Sequence, residues 1–260
     1  MNAVLLSILI FLVIVILGLL VLLPQRRRAQ RRQRRIETLR LLGALRGLIG
    51  HLQQHRGASN GYLCGATRMA SEVQRLSAKI AQDLGTCDQF ASVLQHQERW
   101  ASFREHWPRL CAQALTLPVA NNLQQHNLLI ANLLYLLEDL AETRDLSDPA
   151  IMGRTLPYVW RELLQTAEWV GQARALGTGM AAAGASTSAE RIRMRFLRDR
   201  ILALSQESFA RLREHGASDT WLDMPVVDAE QAVQRLLADI EQALLASETP
   251  AVSATDYFQR

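Results

Sequence analysis

Leu128-Leu129-Ile130-Ala131-Asn132-Leu133-Leu134-Tyr135-Leu136-Leu137-Glu138-Asp139-Leu140 is the stretch that decides the fold class. Leu128, Ile130, Leu133, Leu134, Leu136, Leu137 and Leu140 recur at helical spacing, which lays an apolar stripe along one side of a helix. Other long segments repeat this pattern, and none alternates apolar with polar residues as a half-buried strand does. The expectation is an all-α protein built as an antiparallel helical bundle. Caps and breakers place helices at about 33–65, 71–97, 99–115, 122–143, 153–183, 189–215 and 229–246. Helix starts are read at Asn121 or Asn122, at Asp148 before Pro149, at Ser186 to Ser188 and at Asp228. Breaks are read at Pro108, Pro118, 146–149 and 216–225, and residues 248–260 read as a loose tail.

The N-terminus has a different texture. Residues 1–25 carry no charged side chain, and 4–23 are almost entirely Leu, Ile and Val. About 20 such residues cross a bilayer as a helix. A cleaved signal would want a basic start, a shorter apolar core and a small-residue cleavage site, and none is present. Arg26, Arg27, Arg28, Arg31, Arg32, Arg34 and Arg35 follow at once, and clustered arginine beside a membrane helix stays on the cytoplasmic side. The sequence therefore predicts a transmembrane anchor at 1–25, a juxtamembrane segment at 26–35 touching anionic lipid head groups, and a cytoplasmic helical domain at 36–247.

The chain carries a net charge of +4, and these seven arginines more than account for it. The remainder is mildly acidic, which argues against nucleic-acid binding, since that needs a basic face on the domain itself. Lys79 is the only lysine, so arginine is the default cation here and a single Arg carries little meaning by itself.

Two arginines stand out by their matched surroundings. Gln54-His55-Arg56-Gly57-Ala58-Ser59 and Gln172-Ala173-Arg174-Ala175-Leu176-Gly177 read alike at an offset of 118 residues. Each leads into small residues spaced by four, Gly57, Gly61 and Gly65 in the first and Ala175, Gly179 and Ala183 in the second. Positions four apart stack on one helix face, so each segment presents a smooth ridge flanked by a guanidinium. Two such ridges let helices approach closely and aim both arginines at one small space. Ser59 and Thr178, beside the arginines, are candidate neutral donors. The bland alternative makes Arg56 and Arg174 ordinary surface ions paired with carboxylates.

Other motifs carry less. Gly57-Ala58-Ser59-Asn60-Gly61 matches a G-x-S-x-G pattern, but it follows helix rather than strand, which speaks against a hydrolase. His51 and His55 lie four apart with no third ligand in sight, and read as helix-surface histidines. Cys64, Cys87 and Cys111 are odd in number and widely spaced, which fits reduced, buried thiols. His126 and Asn127 either line the site or satisfy a buried hydrogen bond, the second being simpler. Trp160 and Trp169 read as core or interface residues.

The chain resembles the nitrate- and nitrite-sensing (NIT) domain of bacterial signalling proteins over about 39–258. Three segments carry the resemblance: Leu52-Gln53-Gln54-His55-Arg56-Gly57-Ala58-Ser59, His126-Asn127-Leu128-Leu129-Ile130, and Val170-Gly171-Gln172-Ala173-Arg174-Ala175-Leu176-Gly177-Thr178-Gly179. The resemblance implies paired four-helix bundles and an anion held between two arginines of different helices, at the positions matched here by Arg56 and Arg174. The sequence offers no nucleophile or acid–base pair in mutual reach, so a non-enzymatic sensor without a cofactor is expected, and the apolar run with its trailing arginines sets it in the inner membrane with its N-terminus outside. A homodimer and a signalling partner protein are among the expected assemblies.

Nitrate suits such a pair, because it is a flat monoanion that only accepts hydrogen bonds, and a guanidinium is a flat fork of donors that keeps its charge. Two arginines about 4 Å apart would repel by roughly 4 kcal/mol at an effective dielectric near 20, and an anion cancels that cost. Binding is expected to draw the two helices together, with the shift carried along the Arg56 helix toward the membrane segment. Relatives continue into an output module, and residues 254–260 resemble the place where they do so, which leaves a partner or a longer chain to supply the output. A membrane-tethered helical scaffold without a ligand is the alternative.

Overall fold

The structure is a computed structural model that describes residues 2–144, 146, 162–216 and 223–259. Helix α1 spans Asn2–Leu63, and the chain divides into two compact units, Met1–Arg40 and Leu41–Arg260. The first unit is the leading part of α1, stitched locally by Gln33 Nε2 donating to Glu37 Oε1 at 2.9 Å and Thr38 Oγ1 donating to the Arg34 carbonyl at 2.8 Å. Among the described residues no helix is long and apolar enough to cross a membrane. Of the side chains at 4–23, only Phe11, Ile16, Leu17, Leu20, Leu22 and Leu23 are among those described, and all six are exposed.

Helices α2 (Ala70–Asp88), α3 (Ala91–Leu94), α4 (Glu98–Gln113), α5 (Val119–Thr143), α6 (Leu164–Ala183), α7 (Ser188–Gly216), α8 (Asp223–Asp239) and α9 (Ala254–Gln259) build the second unit together with the end of α1. The described residues hold no strand. Pro118, extended at φ −55° and ψ 138°, starts α5, as the sequence reading expected of a break there. On α5 the residues Ile130, Leu133, Leu134, Leu136, Leu137 and Leu140 are buried, each contributing about 1.5–3 kcal/mol relative to exposure. Leu128 falls off that stripe and is 63% exposed. Helix α4, whose Trp100, Phe103, Trp107 and Leu110 are buried, packs on α5, and Val73 and Leu76 of α2 cluster with Ala58 and Met69. Pro108 lies inside α4 rather than ending it, and the expected 71–97 helix ends at Asp88 before the short α3.

A second apolar cluster joins Ala173, Leu176 and Met180 of α6 to Met194, Leu197 and Ile201 of α7, Leu236 of α8, and Tyr257 of α9. Helix α6 stops at Gly184, whose φ of +66° is the left-handed conformation that favours glycine. Helix α7 starts on a capping box, with Thr187 Oγ1 accepting from Glu190 N at 3.2 Å and Glu190 Oε2 accepting from Thr187 N at 2.8 Å. Past α8 the helix widens over Ile240–Leu245 and adds Leu244 and Leu245 to this core.

Residues 248–259 correct the expectation of a loose tail over 248–260. Ala251 N donates to the Ala243 carbonyl at 2.8 Å, Ser253 Oγ accepts from Asp256 N at 3.1 Å, and α9 packs on α6 with Tyr257 fully buried. Two adjacent aromatic residues give this segment enough apolar surface to dock despite its shortness. The helix start at Asp148–Pro149, residues 153–161 of an expected helix, and Trp160 lie outside the described residues.

Candidate functional site

The ridges of small residues on α1 and α6 interlock. A Cβ added at Gly61 would lie 2.8 Å from Thr178 Cγ2, one at Gly179 2.3 Å from Asn60 Nδ2, and one at Gly57 3.9 Å from the Ala175 Cα. At Gly61 and Gly179 the lack of a β-carbon allows this approach, and Asn60 Nδ2 fastens it by donating to the Ala175 carbonyl at 2.7 Å. The close contact sets Arg56 and Arg174 on facing helices.

Arg56 is fully buried. Its Nη1 donates to Glu168 Oε1 at 2.5 Å and to Asn127 Oδ1 at 2.6 Å, and its Nη2 donates to Glu168 Oε2 at 3.3 Å. Glu168, only 5% exposed, also accepts from Gln53 Nε2 at 2.8 Å and Gln172 Nε2 at 3.0 Å. Arg174 is half-buried and its Nη2 donates to the Phe258 carbonyl at 2.6 Å. Burial pushes Arg174 below its ordinary pKa, Tyr257 pulls it up, and the charge on Arg56 pushes it down again. The Nε of both arginines is buried and finds no acceptor among the described residues.

Arg174 lines a cavity of about 420 Å³ together with Gln53, Gly171, Val170, Phe209 and Phe258. Arg56 stands behind its wall: a Cβ on Gly171 would lie 2.7 Å from Arg56 Nη2. The charge on Arg56 is felt at Arg174, and the adjoining cavity is larger and more apolar than a site for one small anion alone.

Ser59 Oγ donates to the Arg56 carbonyl at 3.2 Å and Thr178 Oγ1 to the Arg174 carbonyl at 2.7 Å, and Ser59 Oγ accepts from Asn122 Nδ2 at 2.9 Å. Each hydroxyl proton is therefore engaged with the backbone of the arginine it neighbours.

His55 is not on the helix surface but fully buried, paired with His126. His126 Nδ1 meets the Asn122 carbonyl at 2.8 Å, so it carries the proton, and His126 Nε2 accepts from His55 Nδ1 at 2.9 Å. That leaves His55 Nε2 as the acceptor facing the Ser77 hydroxyl 3.1 Å away, whose one proton is shared between this ring nitrogen and the Val73 carbonyl at 2.9 Å. Burial lowers His55 to about 4 and His126 well below 6.5, so both rings are neutral. His126 thus satisfies a buried hydrogen bond, whereas its neighbour Asn127 reaches Arg56. His51 instead meets Asp83 at 2.5 Å in a half-buried pair.

Cys64, Cys87 and Cys111 are free; Cys87 is buried, with its thiol pushed up to about 12 by burial, and the other two are half-buried. Among the described residues no group of His, Cys, Asp and Glu is placed to hold a metal ion.

The sequence reading missed Glu168, Gln53 and Gln172. Glu168 had a signal available: it and Arg174 are the only charged residues of α6. Gln172 opens the second matched segment and Gln53 directly precedes the first, but glutamine is a type common on any helix surface.

Fold and site together define an all-helical bundle whose centre is a buried guanidinium–carboxylate clasp beside a second arginine. The chain belongs to the nitrate and nitrite sensing (NIT) family, whose profile matches residues 47–260. It is also similar to the structure of the NasR transcription antiterminator, with a TM-score of 0.59 and 22% identity over 90% of this chain. At that identity the likeness concerns the fold, and this chain spans 66% of the length of that one. No curated protein matches the chain.

Proposed function

We propose that the protein is a membrane-anchored sensor that binds nitrate or nitrite between Arg56 and Arg174 and passes the signal to a partner protein. The observation that carries this reading is the pair itself: two arginines from helices far apart in sequence, Arg56 against Gly171 and Arg174 lining the cavity that Gly171 also lines, each with a buried Nε that finds no acceptor among the described residues. Buried donors are nearly always satisfied, so an acceptor-only anion is the complementary occupant. Membership of the NIT family supplies the class of anion. Hydrogen bonds to charged groups contribute about 1.5–3 kcal/mol each, which after ordering and desolvation costs corresponds to micromolar to millimolar binding. Ser59 and Thr178 join the site only if their hydroxyls turn away from the Arg56 and Arg174 carbonyls on binding. No catalytic step is assigned to the site.

The anchor in the inner membrane, with the N-terminus outside, rests on the apolar run at 4–23, on the arginines of 26–35, and on the six large exposed apolar side chains within that run. That run and Arg56 belong to the same helix, α1, which supports it as the route of the signal. The alternative, a tethered scaffold without a ligand, is favoured by one observation: Arg56 already has a carboxylate partner in Glu168. Calorimetric titration of the full chain with nitrate, nitrite, chloride and sulfate decides between them. Saturable binding of nitrate or nitrite, lost in Arg56→Lys and Arg174→Lys, supports the sensor. Heat indistinguishable from dilution for all four anions supports the scaffold.

A further inference from the structure

The anion environment at Arg56 is already filled by the chain's own carboxylate. Glu168 receives four hydrogen bonds, two from the Arg56 fork and one each from Gln53 and Gln172, at 2.5 to 3.3 Å. That is the full acceptor capacity of a carboxylate. A carboxylate and a nitrate share charge, planarity and acceptor-only chemistry, so the same donors suit either. They cannot both occupy the inner fork of one guanidinium.

We infer that Glu168 is a built-in competitor that holds Arg56 in the unliganded protein and must be displaced before an external flat anion can take the fork. This rests on the nitrate reading above and concerns how that site is regulated. The arrangement has the parts of an exchange. Arg56 on α1 and Glu168 on α6 clamp the two helices together, and the cavity of about 420 Å³ that abuts Gln53 and Gly171 has room for whichever group is not held. Glu168 lies on the same helix as Arg174, so its release frees α6 from one arginine of α1 while the anion ties both arginines to one centre. The unliganded site holds two cations and one carboxylate, and one bound monoanion brings the buried charges to balance.

Competition by Glu168 also sets the response threshold. An anion that binds an empty guanidinium tightly binds here only as well as it outcompetes a tethered carboxylate, whose effective concentration is high because it is part of the same fold. Nitrate would therefore register only when abundant, and removing the tethered rival should raise affinity.

The test is nitrate titration of the full chain and its Glu168→Gln and Glu168→Ala variants by calorimetry, with urea unfolding of the Glu168→Ala protein in formate and in chloride. The inference expects nitrate to bind Glu168→Gln at least about ten-fold more tightly than the unaltered chain, because no charged rival remains. It expects formate, a free carboxylate, to raise the Glu168→Ala midpoint while equal chloride does not, a readout that survives even if the variant folds poorly without an anion. If the unaltered chain binds nitrate and Glu168→Gln binds it no more tightly, Glu168 is no competitor and the inference falls while the nitrate reading stands. If neither protein binds nitrate and formate acts no differently from chloride, both fall.

Discussion

Breaking the Arg56–Glu168 clasp from either side should cost far more than removing it whole. Both side chains are buried, at 0% and 7% exposure, so solvent does not screen the pair. Arg56→Met leaves the Glu168 carboxylate with two glutamine donors and no cation, and Glu168→Leu leaves the Arg56 guanidinium with Asn127 alone. Stranding one member of a buried ion pair costs about 3–5 kcal/mol, whereas replacing both by apolar groups is about neutral to stabilising. For a domain of this size that is a fall in Tm of roughly 6–20 °C for each single variant, and a double variant well above either. Urea is the denaturant to use, since guanidinium chloride would supply both a rival cation and an anion. Single and double losses that add to within about 0.5 kcal/mol would show that the two side chains act independently, and the clasp argument would be wrong.

Three further outcomes follow from the packing. Gly61→Leu should cost about 1–3 kcal/mol in urea unfolding, because even its Cβ would sit 2.4 Å from Met69 Sδ and 2.8 Å from Thr178 Cγ2 between α1 and α6. Gly177→Ala should loosen α9, since a Cβ there would meet Tyr257 Cε1 at 2.3 Å and Leu244 Cδ1 at 2.7 Å; faster proteolysis at 254–259 is the readout, and an unchanged digestion pattern would contradict the docking described for that helix. His55 and His126 are neutral in the fold and take up protons only on unfolding, so stability is complete above pH 6.5 and falls as pH drops from 6.5 toward 4. The slope is about 1.4 kcal/mol per pH unit per histidine, and His55→Gln should flatten the profile over pH 5 to 6.5 relative to the unaltered chain.

The helices were the legible part of the sequence. Leu133, Leu136, Leu137 and Leu140 announce α5 by periodicity, and Pro118 marks where it begins, because these are local properties of a few consecutive residues. The paired arginine segments were legible too, since matched glycine and alanine ridges leave a pattern that can be laid over itself. What could not be read was which partners distant residues find. Glu168 meets Arg56 across 112 positions, and His55 meets His126 across 71, with nothing in the neighbourhood of either to name the other. Docking of Tyr257 and Phe258 was missed for a similar reason: the segment is too short for a helical period, and its stability comes from α6 rather than from itself.

A crystal structure of the full chain at saturating nitrate is the most direct trial of the central claim. The account predicts one flat anion within about 3 Å of nitrogens from both Arg56 and Arg174, with the Glu168 carboxylate moved off the Arg56 fork. A protein that crystallises in saturating nitrate with the Arg56–Glu168 pair intact and no anion between the arginines would contradict it.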